Sequence, residues 1–232
     1  MNPKIRVAAY VDGFNLYHAI DALCRISRGT KDHLKWLDLY ALIGKFIDPN
    51  VHQIEAINYF SAYMTWNTSR EARHREYVKA LTNAGVHIVL GRFKEKDAYC
   101  KTCKSTYMAR EEKESDVNIA THLISDAYED KFDQAILLSN DSDLLGPMKL
   151  IRAKFPKKKI KIIAPPARMH SKELWALATH RAKIDEMHLE KSLFPETKIN
   201  GDGVIPPFLT GSDCRTHAAN CCFACADRWF SF

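Results

Sequence analysis

The sequence predicts an α/β domain on a mainly parallel sheet with helices on both faces, followed by an irregular tail. Two observations predict it. Compact apolar runs at Ile5–Val11, Ile54–Ala62, Ala135–Ser139 and Ile160–Ala164 have the length and composition of buried strands. Stretches with helical spacing separate them, and strands alternating with helices imply a parallel sheet joined by crossovers. A length of 232 residues suits one domain with an appendage.

The elements follow in order. Ile5–Val11 ends on a carboxylate, Asp12, and Phe14–Ile26 then places Leu16, Ala19, Ile20 and Leu23 at helical spacing. Trp36–Ile47 has the same spacing. Ile54–Ala62 reads as a strand, and the charged stretch Ser69–Ala84 as a helix that stops at Asn83-Ala84-Gly85. Val86–Phe93 is a further β-type run. Ser115–Tyr128 reads as helix, Ala135–Ser139 as a short buried strand and Asp143–Phe155 as helix. Pro165-Pro166 closes the strand Ile160–Ala164, and Ser171 is placed to cap a helix over Ser171–His180. Lys94–Arg110, polar and rich in lysine, breaks the alternation and reads as an insertion on the rim of the sheet. From about Pro195 the periodicity is lost, so residues 195–232 form a tail rich in cysteine and aromatics.

Hydrophobic residues are 46% and charged residues 27% of the chain, which excludes a disordered or fibrous protein. No apolar run approaches the roughly 18 residues of a membrane span, so no membrane partner is expected. Asp12 and Asn15 interrupt the only apolar stretch near the start before it could serve as a signal core, and a cytoplasmic chain is expected. The net charge is +6. Three basic and four acidic residues follow Pro195, so the positive excess lies before the tail, where it suits a polyanionic partner.

Carboxylates fall where an open parallel sheet gathers ligands, beyond the C-terminal ends of its strands. Asp12 follows the first strand directly, Asp141 and Asp143 follow Ala135–Ser139, and Asp116 opens the helix Ser115–Tyr128. Each has an ordinary alternative role as a cap or turn former, and Asn15 as a local backbone-bonding residue. Together they would repel one another unless a cation were present. Mg²⁺ or Mn²⁺ prefers such oxygen ligands, and a metal pair can cleave a phosphodiester.

Three motifs make the pattern more specific. Tyr10-Val-Asp-Gly-Phe-Asn-Leu-Tyr17, Lys113-Glu-Ser-Asp-Val-Asn-Ile-Ala120 and Leu138-Ser-Asn-Asp-Ser-Asp-Leu144 resemble, in order and separation, those of the NYN domain family, relatives of the PIN-domain nucleases. The similarity runs from about Ile5 to about Leu193. It implies a PIN-like three-layer α/β sandwich over residues 1–194, with 94–110 as the CxxC-containing insertion. It also implies a metal-dependent endoribonuclease using Mg²⁺ or Mn²⁺. On that resemblance Asp12 is the first-strand ligand, Asn15 the polar residue that orients ligand or water, Asp116 the mid-chain acid, and Asp141 and Asp143 the acidic pair. The family commonly has Gly where this chain has Asn140, a change that touches the turn and leaves every carboxylate in place. Glu111, Glu112 and Glu114 read as a charged helix entrance, with Glu114 a candidate for an outer metal shell.

RNA would be gripped by Arg92, Lys94 and Lys96, with Arg110 across the insertion, and Trp66 is the best-placed aromatic for stacking a base. Cys100 and Cys103 have the spacing of half a zinc knuckle. The tail pair Cys222 and Cys225, a pair from another subunit of a homodimer, or no metal at all complete the alternatives. Other enzyme classes fare poorly. A haloacid-dehalogenase-like phosphatase needs a second Asp where Phe14 stands, no GxGxxG or GxxxxGK[ST] occurs, and neither Ser139 nor Ser142 has an evident base. The rival to a nuclease is a non-catalytic RNA-binding or scaffold domain of the same fold.

Overall fold

The structure, a computed structural model, describes residues 3–167 and 171–195. Its chain starts with β1 (Ile5–Asp12), α1 (Gly13–Ile26), a 3₁₀ turn at Asp32–Lys35, α2 (Leu39–Gly44), β2 (His52–Ser61), α3 (Thr68–Asn83) and β3 (His87–Leu90). An antiparallel hairpin, β4 (Arg92–Tyr99) and β5 (Thr106–Lys113), comes next. Then follow α4 (Ser115–Tyr128), β6 (Gln134–Leu138), α5 (Leu145–Lys154), β7 (Lys159–Ala164), α6 (Lys172–Leu177), β8 (His180–Lys183) and α7 (Glu186–Glu190).

The main sheet has six strands in the order β3-β2-β1-β6-β7-β8, and every neighbouring pair is parallel. The chain first winds outward from β1 to β3, then returns to the other side of β1 and winds outward again to β8. The reversal lies between β1 and β6, the topological switch point where such sheets bind ligands.

Alternation along the strands builds a core on each face. Val7, Ala9 and Val11 of β1 join Ile136 and Leu138 of β6 under Leu16 and Ile20 of α1, Leu42 of α2 and Leu81 of α3. Ala8 and Tyr10 point the other way, with Ala135 and Leu137, under Ile119 and Leu123 of α4 and Met148 of α5. Burial on both sides is why these strands read as solid apolar runs. Tyr10, fully buried, donates its hydroxyl to Asp126 of α4 at 2.7 Å, so the deep ring keeps a partner.

Four expectations change. Helix was expected over Trp36–Ile47, but only Leu39–Gly44 is α-helical. Trp36 and Asp38 bond the backbones of Phe194 and Ser192, and Asp38 then starts the helix by accepting the amides of Tyr40 and Ala41. Val86–Phe93 breaks after Leu90. The Gly91 amide bonds Ser61 while a Cβ there would stand 2.5 Å from the Lys113 carbonyl oxygen, so only glycine lets the hairpin leave the sheet here. The insertion Lys94–Arg110 is part of that hairpin, which spans Arg92–Lys113. Most of it is exposed, so no apolar periodicity marks its strands. Finally α6 stops at Leu177, where the amide of Thr179 turns to the carbonyl of Ile160. Edge strand β8 follows, mostly exposed and without an apolar run.

Candidate active site

Asp12 is the last residue of β1 and the N-cap of α1. Its Oδ1 accepts the amide of Asn15 at 2.9 Å and its Oδ2 accepts the hydroxyl of Ser139 at 2.8 Å. It is only 4% exposed, and burial pushes its carboxyl up from an ordinary 3.8 to about 7. The two hydrogen bonds oppose that rise, while the nearby charges of Asp116 and Asp141 add to it.

Asp116, half-buried in the first turn of α4, is raised to about 6, chiefly by burial and then by Asp141, Glu112 and Asp143. Asp141 caps the 3₁₀ turn Ser142–Leu144, its Oδ1 accepting the amide of the exposed Asp143 at 2.9 Å. The structure thus brings Asp12, Asp116, Asp141 and Asp143 within electrostatic range at the switch point. Asp12 and Asp141 serve as caps at the same time, so the ordinary role and the electrostatic one coincide.

One group here escaped the sequence reading, and a second, Glu112, was read only as part of a charged helix entrance. Ser139, fully buried, donates to Asp12 and accepts the amide of Asp141 at 3.1 Å, tying the end of β1 to the acidic turn after β6. Its signal was a hydroxyl at the end of a buried strand just before Asn-Asp-Ser-Asp, weighed in the sequence only as a nucleophile. Glu112 accepts both the amide and the hydroxyl of Ser115, at 3.1 and 2.6 Å. It fixes the start of α4 and faces Asp116, whereas Glu114 pairs with Arg92 at 2.8 Å. Asn140 lies outside the left-handed region, so a side chain is tolerated, and its Oδ1 accepts the amide of Ser171 at the cap of α6.

Removal of the Ser139 hydroxyl should therefore show directly. Ser139→Ala leaves Asp12 Oδ2 and the Asp141 amide without that partner in a buried place, a loss of about 2 kcal/mol. For a domain of this size the melting temperature should fall by about 4–8 °C. Unchanged thermal unfolding would mean that this hydroxyl does not link the two segments.

The donor set suits a hard divalent cation, because the four carboxylates offer only oxygen. Asn15 adds an independent sign. Its Oδ1 is buried without a hydrogen-bond partner, an oxygen that a cation or its water would satisfy. Among the described residues no three His, Cys, Asp or Glu side chains are close enough together to hold an ion, although the carboxylates lie within electrostatic range of one another.

Of the residues expected to grip RNA, Arg92, Lys94 and Lys96 alternate along β4, Arg110 stands opposite Glu95 on the other face of the hairpin, and Trp66 precedes α3. Arg92 pairs with Glu114, Lys96 with Glu111 at 3.6 Å and Arg110 with Glu95 at 2.9 Å. Trp66 packs edge-on against Phe93 and beneath the guanidinium of Arg110 at 4.8 Å. Phe93 also meets Phe14, two residues beyond Asp12, so the base of the hairpin adjoins the acidic ring. Cys100 is buried and Cys103 exposed, both free of disulfides, while Cys222 and Cys225 lie outside the described residues. No helix among the described residues is long and apolar enough to cross a membrane.

Comparison with known proteins agrees with this architecture. A solved structure of a protein of unknown function, VPA0982 from Vibrio parahaemolyticus, superposes with a TM-score of 0.56 at 19% identity, covering 84% of this chain and 99% of that one. That likeness concerns the fold alone. Among curated proteins, the chain is 27% identical to 6-hydroxy-3-succinoylpyridine 3-monooxygenase HspA of Pseudomonas putida, over 64% of its own length and 56% of that protein's. The chain thus spans little more than half of that relative. The NYN domain model matches residues 6–185, from β1 to the start of α7 and across all three motifs, and the chain therefore belongs to the NYN domain family, within the PIN-like nuclease superfamily.

Proposed function

We propose that residues 1–194 form a metal-dependent ribonuclease, of endonucleolytic type, that hydrolyses RNA phosphodiester bonds at the ring of Asp12, Asp116, Asp141 and Asp143. The observation that carries this reading is the convergence of the four carboxylates at the switch point, with Asp12 and Asp116 raised towards neutrality. Mg²⁺ or Mn²⁺, when bound, would supply an activated water and charge neutralisation at the leaving oxygen.

The chain's own groups do the rest. Ser139 and the Asn15 amide hold the Asp12 carboxylate in one orientation, which keeps the ring ready without rearrangement. The Asn15 carbonyl, free of other partners, orients a water or an ion there. Asp141 follows β6, across the switch point from Asp12, and Asp116 lies in the first turn of α4. Arg92, Lys94 and Lys96, at alternate positions of β4, form one basic face of the hairpin for phosphates flanking the cut. The ion pairs of Arg92 and Lys96 are exposed, so exchanging a carboxylate for a phosphate costs little. Affinity should fall steeply with salt.

The similarity to a monooxygenase marks a second reading, oxidation of a small aromatic ring. The oxygen-only donor set favours hydrolysis with a hard cation. The test is cleavage of labelled single-stranded and hairpin RNA with Mg²⁺ or Mn²⁺, beside a chelated control and identically purified Asp12→Asn and Asp141→Asn proteins. Internal cuts that require the metal and fall at least about a hundredfold in both variants are expected. RNA bound without cutting, indifferent to metal, would instead favour a binding or scaffold domain. Turnover of 6-hydroxy-3-succinoylpyridine with O₂ and a reductant, without any RNA cleavage, would favour the oxygenase.

A further inference from the structure

A continuous row of rings runs past the end of β1. Trp66 meets Phe93 edge to face with centroids 4.6 Å apart, and Phe93 meets Phe14 in the same way at 5.5 Å. Phe14 lies along the ring of His18, one helical turn on, at 6.2 Å, and His18 meets Tyr17 at 5.6 Å. The row thus leads from the base of the hairpin onto α1 and passes Asn15, the neighbour of Phe14 in sequence. Its two ends are open to solvent, Trp66 at 36% and Tyr17 at 37%, while the three rings between them are half-buried. A cation stands over each open end, with Arg110 4.8 Å from the Trp66 centroid and Lys35 5.6 Å from that of Tyr17. Arg70 and Arg73, in the first two turns of α3, also act electrostatically on the Tyr17 hydroxyl.

We propose that this row is a track for unpaired nucleotides, with one base stacked at Trp66 and another at Tyr17, so that the RNA at the carboxylate site is single-stranded. Aromatic rings flanked by cations hold single strands with little regard to sequence, because every base has a π-face. In a duplex those faces cover one another, and proteins read it through phosphates and 2′-hydroxyls instead. The placement of Asp12 points the same way. It is nearly buried at the end of β1, where a flexible strand brings a phosphate closer than a rigid helix does. The Arg110 guanidinium extends the Trp66 platform, since its plane also stacks bases. Lys35 is held by Asp21 at 2.8 Å and by Asp32 at 3.0 Å, so phosphate contacts at the Tyr17 end fall to Arg70 and Arg73.

This surface is separate from the basic face of the hairpin. Phe93 and Arg110 share one face of the β4–β5 pair, whereas Arg92, Lys94 and Lys96 belong to the other. Cations there meet phosphates, which duplex and single strand both present, and only the rings tell the two apart. The inference rests on the ribonuclease reading for the place of the cut, and on the rings and arginines alone for binding.

The test is binding of fluorescein-labelled RNA of about 12 nucleotides, single-stranded or annealed to its complement, to the full chain in chelator, where metal-dependent cutting does not intervene. The single strand is expected to bind at least about tenfold more tightly than the duplex. Tyr17→Ala and Trp66→Ala should each weaken it about tenfold, the measure of one stacked base, while Tyr17→Phe keeps the ring and binds as wild type. Arg70→Ala and Arg73→Ala should each lower the salt slope by about 0.7. Tyr128→Ala, which removes an exposed ring at the C-terminal end of α4, should change nothing. Duplex bound as tightly as single strand overturns the proposal, as does single-strand binding undiminished in either Tyr17→Ala or Trp66→Ala. Ring-dependent binding by a protein that cuts no RNA with Mg²⁺ or Mn²⁺ supports the track and overturns the ribonuclease reading. Metal-dependent cutting with ring-independent binding does the reverse.

Discussion

In chelator at pH 8, Asp12→Asn should melt higher than the wild-type protein, although it removes the residue at the centre of the site. Burial raises the Asp12 carboxyl from an ordinary 3.8 to about 7. Between those values the folded protein binds a proton that the unfolded chain has released, so stability falls as pH rises through this window and stays low above it. Each pH unit corresponds to about 1.4 kcal/mol, which puts the full penalty at up to about 4 kcal/mol. Asn carries no charge to desolvate. Its Oδ1 can still accept the Asn15 amide, and its Nδ2 can donate to Ser139 Oγ.

The expected gain in melting temperature at pH 8 is about 5–10 °C for a domain of this size. At pH 5 the advantage should shrink to less than half, because wild-type Asp12 is then protonated when folded. Mg²⁺ should raise the melting temperature of the wild-type protein and leave the variant nearly unmoved, since ligands of the folded state stabilise it by mass action. Thermal scans across pH, with and without metal, read all three effects. A variant that melts lower than wild type at pH 8 would show that the carboxylate carries no such penalty. Stabilisation paired with lost cleavage is the signature of a group retained for chemistry.

Much of this site was legible in the sequence because it sits where the sequence signal is strongest. Strands β1, β6 and β7 are buried on both faces, so their apolar runs marked their ends, and Asp12, Asp141 and Asp143 lie at or just beyond those ends. The hairpin was not legible, because both of its faces meet water and nothing enforces an apolar period. Edge strand β8 was missed for the same reason. Ser139 was missed because its partner Asp12 is 127 residues away. A serine becomes a linker only when folding brings that carboxylate beside it. Asp12 itself shows that a cap and a candidate ligand can be one residue, so weighing those roles as alternatives set apart what the fold combines.

Gly13→Ala should have an effect opposite to that expected from helix propensity. Gly13 opens α1, and it owes its place to close packing, since its φ lies outside the left-handed region. A Cβ there would stand 2.6 Å from the carbonyl oxygen of Phe60 and 2.6 Å from the ring of Tyr59. Neither neighbour gives way easily. Phe60 lies within β2 between two paired strands, and Tyr59 is buried edge-on against Tyr77 at 6.0 Å. The helix must therefore lift from the sheet, carrying Asn15 and its bond to Asp12. Propensity favours alanine by about 1 kcal/mol, but overpacking of this kind costs about 1–3 kcal/mol or more, and here it meets backbone. The expected outcome is a loss of about 2 kcal/mol with cleavage impaired alongside. Gly146 in α5 supplies the control, because nothing lies within 4 Å of its Cβ position, and Gly146→Ala should stabilise by about 0.4–1 kcal/mol. Equal melting of the two variants would mean that α1 does not rest so closely on β2, and Asp12 would lose the rigid cap on which its orientation depends.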